Sequence, residues 1–130
     1  MPGASRPGAH FRVDFDDATF AEDLAHTSSD TGRDLALRER DKLSADGLPP
    51  DQLKRCDTEA RDGTNLPGCL KIYIPRPAGR WGMVFQLRIG SDGRPFLACL
   101  AFGTRHPTGP GALSVYQVAH QRIHGQPPRR

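Results

Sequence analysis

Three short apolar runs in the second half of the chain do most to limit how it can fold: GCLKIYIP from Gly68, WGMVFQLRI from Trp81 and PFLACLAFG from Pro95. In the first, Leu70, Ile72 and Ile74 alternate with Lys71 and Tyr73. In the second, Met83, Phe85 and Leu87 alternate with Val84, Gln86 and Arg88. Alternation with a period of two marks strands whose two faces meet different surroundings. The link SDGRP carries an Asp-Gly turn signal, so strands 81–89 and 95–103 are predicted to form a hairpin. Beyond Pro107, a TGPGA loop leads to SVYQVAHQRIHG. There Val115, Val118, Ala119 and Ile123 recur at helical spacing, predicting a short terminal helix over Ser114–His124.

The first half reads differently. HFRVDF sets Phe11, Val13 and Phe15 against His10, Arg12 and Asp14, a half-buried strand. Asp16 or Asp17 can cap a short helix over Asp17–Ala25, with Phe20 and Leu24 spaced i, i+4. A second helix is predicted from Asp30 or Thr31 through GRDLALRERDKLSAD, with Gly47 at its stop and Pro49–Pro50 preventing continuation. Residues 48–67 read as connection, with one helical turn at most in DQLKRC. Residues 1–9 and 126–130 read as disordered tails, leaving one domain over 10–125. The expected class is α+β: a small antiparallel-rich sheet with two N-terminal helices packed on it, in the order β-α-α-β-β-β-α.

At 130 residues, a single core is the expectation. No apolar run approaches the roughly 18 residues of a membrane span. MPGASRPGAH has no apolar stretch after Arg6, so no signal peptide is expected. Cys56, Cys69 and Cys99 show no CxxC spacing and read as reduced thiols of a cytosolic protein, Cys69 and Cys99 in the core. Charge is unevenly spread. From Met1 to Arg61, 13 acids outnumber 9 Lys and Arg, whereas from Asp62 onward 9 Lys and Arg meet only Asp62 and Asp92. The second half also carries His106, His120 and His124. Such asymmetry is the electrostatic footprint of contact with a polyanion, although Arg129 and Arg130 count for little at the end of a tail.

In order and spacing, these pieces resemble the RelE/ParE superfamily of toxins from bacterial toxin–antitoxin pairs, over roughly residues 10–124. HFRVDFDDATFAEDL looks like that family's opening strand and first helix, and CLKIYI like its second strand with an exposed basic residue. WGMVFQLRI is similar to its third strand, LAFGTRHP to a fourth strand ending in Gly-x-Arg, and SVYQVAHQRI to the segment that supplies a C-terminal Tyr. The resemblance implies ribosome-dependent mRNA endonuclease activity of the RelE branch, with no cofactor. In that chemistry a ribose 2′-OH attacks its own adjacent phosphate and expels the 5′-oxygen, with side chains supplying protons and positive field. Carried over by position, Lys71, Arg105 and Tyr116 would be the catalytic set, Arg105 as a two-oxygen phosphate clamp. Arg80, Trp81, Arg88, His106 and His120 are the candidate RNA-binding residues. Two positions depart from the pattern: Tyr73 stands where a second Lys is common, and Gly82 where an Arg usually follows the aromatic. The implied partners are mRNA, the ribosome and a cognate antitoxin, with no membrane, in the cytoplasm. Other readings within the family are a ParE-like toxin that inhibits a protein such as DNA gyrase, and a non-catalytic RNA- or protein-binding member.

Each candidate also has a plain structural reading. Lys71 could simply solubilise an exposed strand position. Tyr116 could be a core residue of the terminal helix, and Trp81 could be packing. His120 and His124 are spaced i, i+4, but Gln121 stands where the HExxH zinc motif requires Glu, and no third ligand is evident, so no metal site is expected. There is no GxGxxG after a strand, no P-loop and no GxSxG elbow. Asp16 and Asp17 are accounted for by the helix dipole.

Overall fold

The computed structural model describes residues 10–56 and 64–125; the predicted tails lie outside them. The elements run β1 (Arg12–Asp14), α1 (Asp17–Ala25), α2 (Asp30–Asp46), a 3-10 turn (Pro50–Gln52), β2 (Lys54–Arg55), β3 (Cys69–Ile74), β4 (Trp81–Ile89), β5 (Pro95–Thr104) and α3 (Val115–Ile123). This is an α+β protein with one five-stranded mixed sheet in the order β1-β5-β4-β3-β2. Three of the four pairings are antiparallel, and β1 joins β5 in parallel. The strand β2 was not expected. Two residues are too few to show an alternation, and Leu53 beside Lys54 and Arg55 reads equally well as loop.

Local chemistry explains the helix boundaries. The Asp16 carboxylate accepts from the Thr19 N–H at 3.0 Å, and the Ser29 hydroxyl accepts from Gly32 at 3.1 Å, each satisfying a first-turn donor. Ser114 and Gln117 form a reciprocal capping box at the start of α3. Gly47 closes α2 with φ 73°, a value that side-chain-bearing residues resist.

The sheet has a core on each face. One face packs Ile72, Ile74, Trp81, Met83, Phe85, Leu97 and Phe102 against Phe20, Ala36 and Leu43 of α1 and α2. The other packs Cys69, Val84, Leu100 and Ala101 against Val115, Val118 and Ala119 of α3. β5 serves both through a bulge: Val84 pairs with Ala101 but Phe85 pairs with Cys99, leaving Leu100 as the extra residue. Leu100 and Ala101 therefore both face α3, and Phe102 returns to the face that holds Leu97.

β1 pairs β5 only from Phe96 to Ala98, so the later edge of β5 needs other partners. Asp23 of α1 supplies one, accepting from the Phe102 N–H at 2.9 Å. Arg122 of α3 donates to the Leu100 carbonyl at 2.6 Å and to both oxygens of Asp23 at 2.9 Å, and also reaches Glu22 at 2.8 Å. Asp23 is 2% exposed. This buried ion cluster joins α1 to α3 around the bulge, and no short motif announces it because its members lie 99 residues apart.

Candidate nucleic-acid interface

Lys71 and Tyr73 alternate with the core residues of β3 and therefore stand on the α3 face of the sheet, both half-buried. Across the ladder Tyr73 pairs with Gly82, and Gly82 pairs with Gly103. Two adjacent positions without side chains leave a shallow trough beside Tyr73. Val115 of α3 seats over it: a Cβ on Gly82 or Gly103 would lie 3.6 Å from Val115 atoms. The close approach of α3 sets Tyr116 beside the end of β5.

The Arg105 side chain runs back along that trough. Its Cγ would lie 3.3 Å from a Cβ on Gly82. Its guanidinium ends 3.6 Å from the centre of the Tyr73 ring, within cation–π range. Arg105 Nε donates to the Tyr116 hydroxyl at 3.3 Å and Nη1 to the Gly79 carbonyl at 2.8 Å. The Lys71 ammonium lies 4.9 Å from the Tyr116 ring centre and 5.6 Å from that of Tyr73. Lys54 of β2 reaches to 5.5 Å from the same Tyr73 ring. One phenol ring thus gathers three cations.

Among the described residues, Arg12, Arg33, Arg40, Arg76 and Arg122 pair with carboxylates, whereas Lys54, Lys71 and Arg105, like Arg38, Lys42, Arg55, Arg80, Arg88 and Arg94, pair with none. What distinguishes the three is that they converge on one ring. Burial pushes the Tyr116 phenol above its ordinary value of 10.0, against the opposing pull of the Arg105 hydrogen bond and the Lys71 charge. At neutral pH it is a protonated hydroxyl. Its oxygen accepts from Arg105, so its own proton is free to be donated to a ligand. Cations without counter-ions, beside a neutral hydroxyl donor, suit a phosphate oxygen.

The structure brings Lys71, Arg105 and Tyr116 together. It does not gather the five candidate RNA-binding residues around them. Trp81 is 6% exposed in the α1/α2 core, where its ring would lie 2.9 Å from a Cβ on Gly32, so stacking on a base would require unpacking α2. Arg80 adjoins the cluster, its carbonyl accepting from the Arg105 N–H at 2.9 Å. Its side chain, with His106, lines a separate cleft of about 460 Å³ beyond the β5 edge, shared with Asp23, His26 and Thr27. Arg88 is exposed far along β4 and bonds Gln86 at 2.9 Å. His120 is taken up by the chain itself: its Nδ1 accepts from the Asn65 N–H at 2.9 Å, while His124 Nε2 lies 3.2 Å from the Asn65 carbonyl. Among the described residues, no group of three or more His, Cys, Asp or Glu is placed to hold a metal ion.

Sequence reasoning treated Tyr73 and Gly82 as departures from a pattern; in the fold the two belong together. The open position at 82 lets Arg105 cross β4 and stack on Tyr73. The i, i+2 spacing of Lys71 and Tyr73 already put them on one face. Lys54 gave no such signal, because it depends on a strand too short to recognise.

Comparison with known proteins found no matching family model, no matching curated protein and no matching solved structure.

Proposed function

We propose that this protein is an mRNA endoribonuclease of the RelE type, acting on message held by the ribosome in the cytoplasm. The observation that carries the reading is the cluster itself: Arg105, Lys71 and the Tyr116 hydroxyl meet on one face, with no carboxylate paired to either cation among the described residues. In this reading Arg105 and Lys71 hold the non-bridging oxygens and offset the charge that grows on the pentacoordinate phosphorus. The 2′-oxygen forms a bond to phosphorus as the bond to the 5′-oxygen breaks. Tyr116, which keeps its proton at neutral pH, gives it to the departing 5′-oxygen. The products are a 2′,3′-cyclic phosphate and a 5′-hydroxyl. The 2′-OH proton passes to a water molecule. A cognate antitoxin with an acidic or amphipathic segment would cover the same cations.

A second reading, an RNA- or protein-binding member that cuts nothing, draws on a specific observation. Arg105 already spends Nε and Nη1 on Tyr116 and Gly79. Induced expression followed by primer extension separates the two. The nuclease reading expects translation-dependent cuts that vanish with Arg105→Ala and fall about 100-fold or more with Tyr116→Phe, the scale of losing a positioned proton donor. Cuts that persist undiminished in both variants would refute it, and RNA retention without any cuts would favour the second reading.

A further inference from the structure

The short strand β2 aligns Lys54 directly opposite Lys71 in the antiparallel ladder. Like charges facing each other across a strand pair destabilise it, and neither ammonium has a carboxylate partner among the described residues. Both flank the Tyr73 ring whose face is already covered by Arg105. Among the described residues no acid relieves this pair, which lies beside the Arg105 cluster.

We propose that Lys54, set beside Lys71, forms a second anion subsite that grips the phosphate next in sequence to the one held by Arg105 and Lys71. The ligand is then a single-stranded polynucleotide with at least two consecutive phosphates, and a mononucleotide binds poorly. Tyr73 acts as a positioning residue: its ring fixes the guanidinium and spaces the two lysines from it. The subsite rests on the nucleic-acid reading above and extends it beyond the three residues that the chemistry needs.

Salt dependence of binding provides the test, because each phosphate contact releases counter-ions. For single strands the slope of log K against log[salt] changes by about 0.7 per contact. Binding of a short oligouridylate is measured for the full chain across a salt series. Lys54→Gln and Lys71→Gln should each make the slope shallower by about 0.7, Lys54→Arg should keep the wild-type slope, and uridine monophosphate should compete weakly. Lys42→Gln, on the exposed side of α2, serves as the control and should change nothing. Lys54→Gln should also melt at or above the wild-type temperature in low salt, since it removes a repulsion. A wild-type slope in Lys54→Gln, with binding still lost in Arg105→Ala, overturns the subsite and leaves the nucleic-acid reading standing. Failure of the wild type to bind oligouridylate at low salt overturns both. Equal, Lys54-dependent binding of polyglutamate overturns the polynucleotide as the occupant, and a marked drop in melting temperature for Lys54→Gln shows that the lysine serves the fold instead.

Discussion

A Cβ at position 82 would sit 3.3 Å from both the Arg105 Cγ and the Ile72 carbonyl oxygen, tighter than ordinary contact. The carbonyl belongs to the sheet and cannot yield far, so Arg105 must. Gly82→Val is therefore expected to dislodge the guanidinium from Tyr73 and weaken oligonucleotide binding by about 10-fold, the scale of one lost charge-assisted contact. Gly103→Ala, whose nearest neighbour would be 3.6 Å away, should bind like the wild type; equal losses in both would show that the trough does not guide Arg105. A second residue-scale expectation concerns Tyr116. The chain has two tyrosines, so Tyr73→Phe leaves Tyr116 as the sole phenol and its ionisation can be followed by ultraviolet absorbance. The midpoint should lie above 10.0 because burial disfavours the phenolate. Raised in the folded state, this group contributes stability that is complete below pH 10 and declines as pH climbs through the folded value. A midpoint at or below 10.0 would remove the argument for Tyr116 as a proton donor.

Among the elements, the three helices were legible in the sequence and one of the strands was not. Asp16 and Gly47 occupy the cap and stop positions read for them and α3 showed in its apolar spacing, whereas the α2 cap, Ser29, was not singled out. The long strands showed in their alternation, and their hairpin in Asp92–Gly93. Hidden were the parallel docking of β1 on β5, the two residues of β2, and the ion cluster of Asp23, Glu22 and Arg122. Each depends on neighbours far away in sequence, which local periodicity cannot report. Removing Asp23 leaves Arg122 with only the half-buried Glu22 carboxylate and the Phe102 N–H without its acceptor. Asp23→Ala is expected to cost about 3–5 kcal/mol in a denaturant titration, and a loss below about 1 kcal/mol would show the cluster to be dispensable. Gly32 is the second sensitive point. Any side chain there meets the Trp81 ring, so Gly32→Ala should destabilise by about 1–3 kcal/mol even though alanine favours helix. A neutral or stabilising result would mean that α2 can shift away from the tryptophan.

For the molecule as a whole, several acids of the first half are consumed by ion pairs, two of which reach arginines of the second half. Asp30, Glu39, Glu22 and Asp23 take up arginines, and Lys54, Lys71 and Arg105 are among the described cations left without a carboxylate. Composition revealed the imbalance; which cations would remain uncompensated depended on tertiary pairing. The thiols give another global expectation. Burial pushes Cys69 up to about 11 and Cys99 up to about 12. Unfolded thiols ionise near 9.0, so the folded chain loses stability as pH rises from about 9 through those values. Native protein at pH 8 should react with a thiol reagent more slowly than unfolded protein, and equal rates would contradict the burial of Cys56 and Cys69.

The extra residue in β5 has a consequence for length variation. Because Leu100 and Ala101 both look toward α3, a strand shortened by Leu100 would resume regular pairing with Cys99 and Ala101 still opposite Phe85 and Val84, and with Phe102 and Arg105 on their present sides. A one-residue deletion inside a strand ordinarily turns everything downstream inside out. At this one point, the side on which Arg105 stands is indifferent to the count.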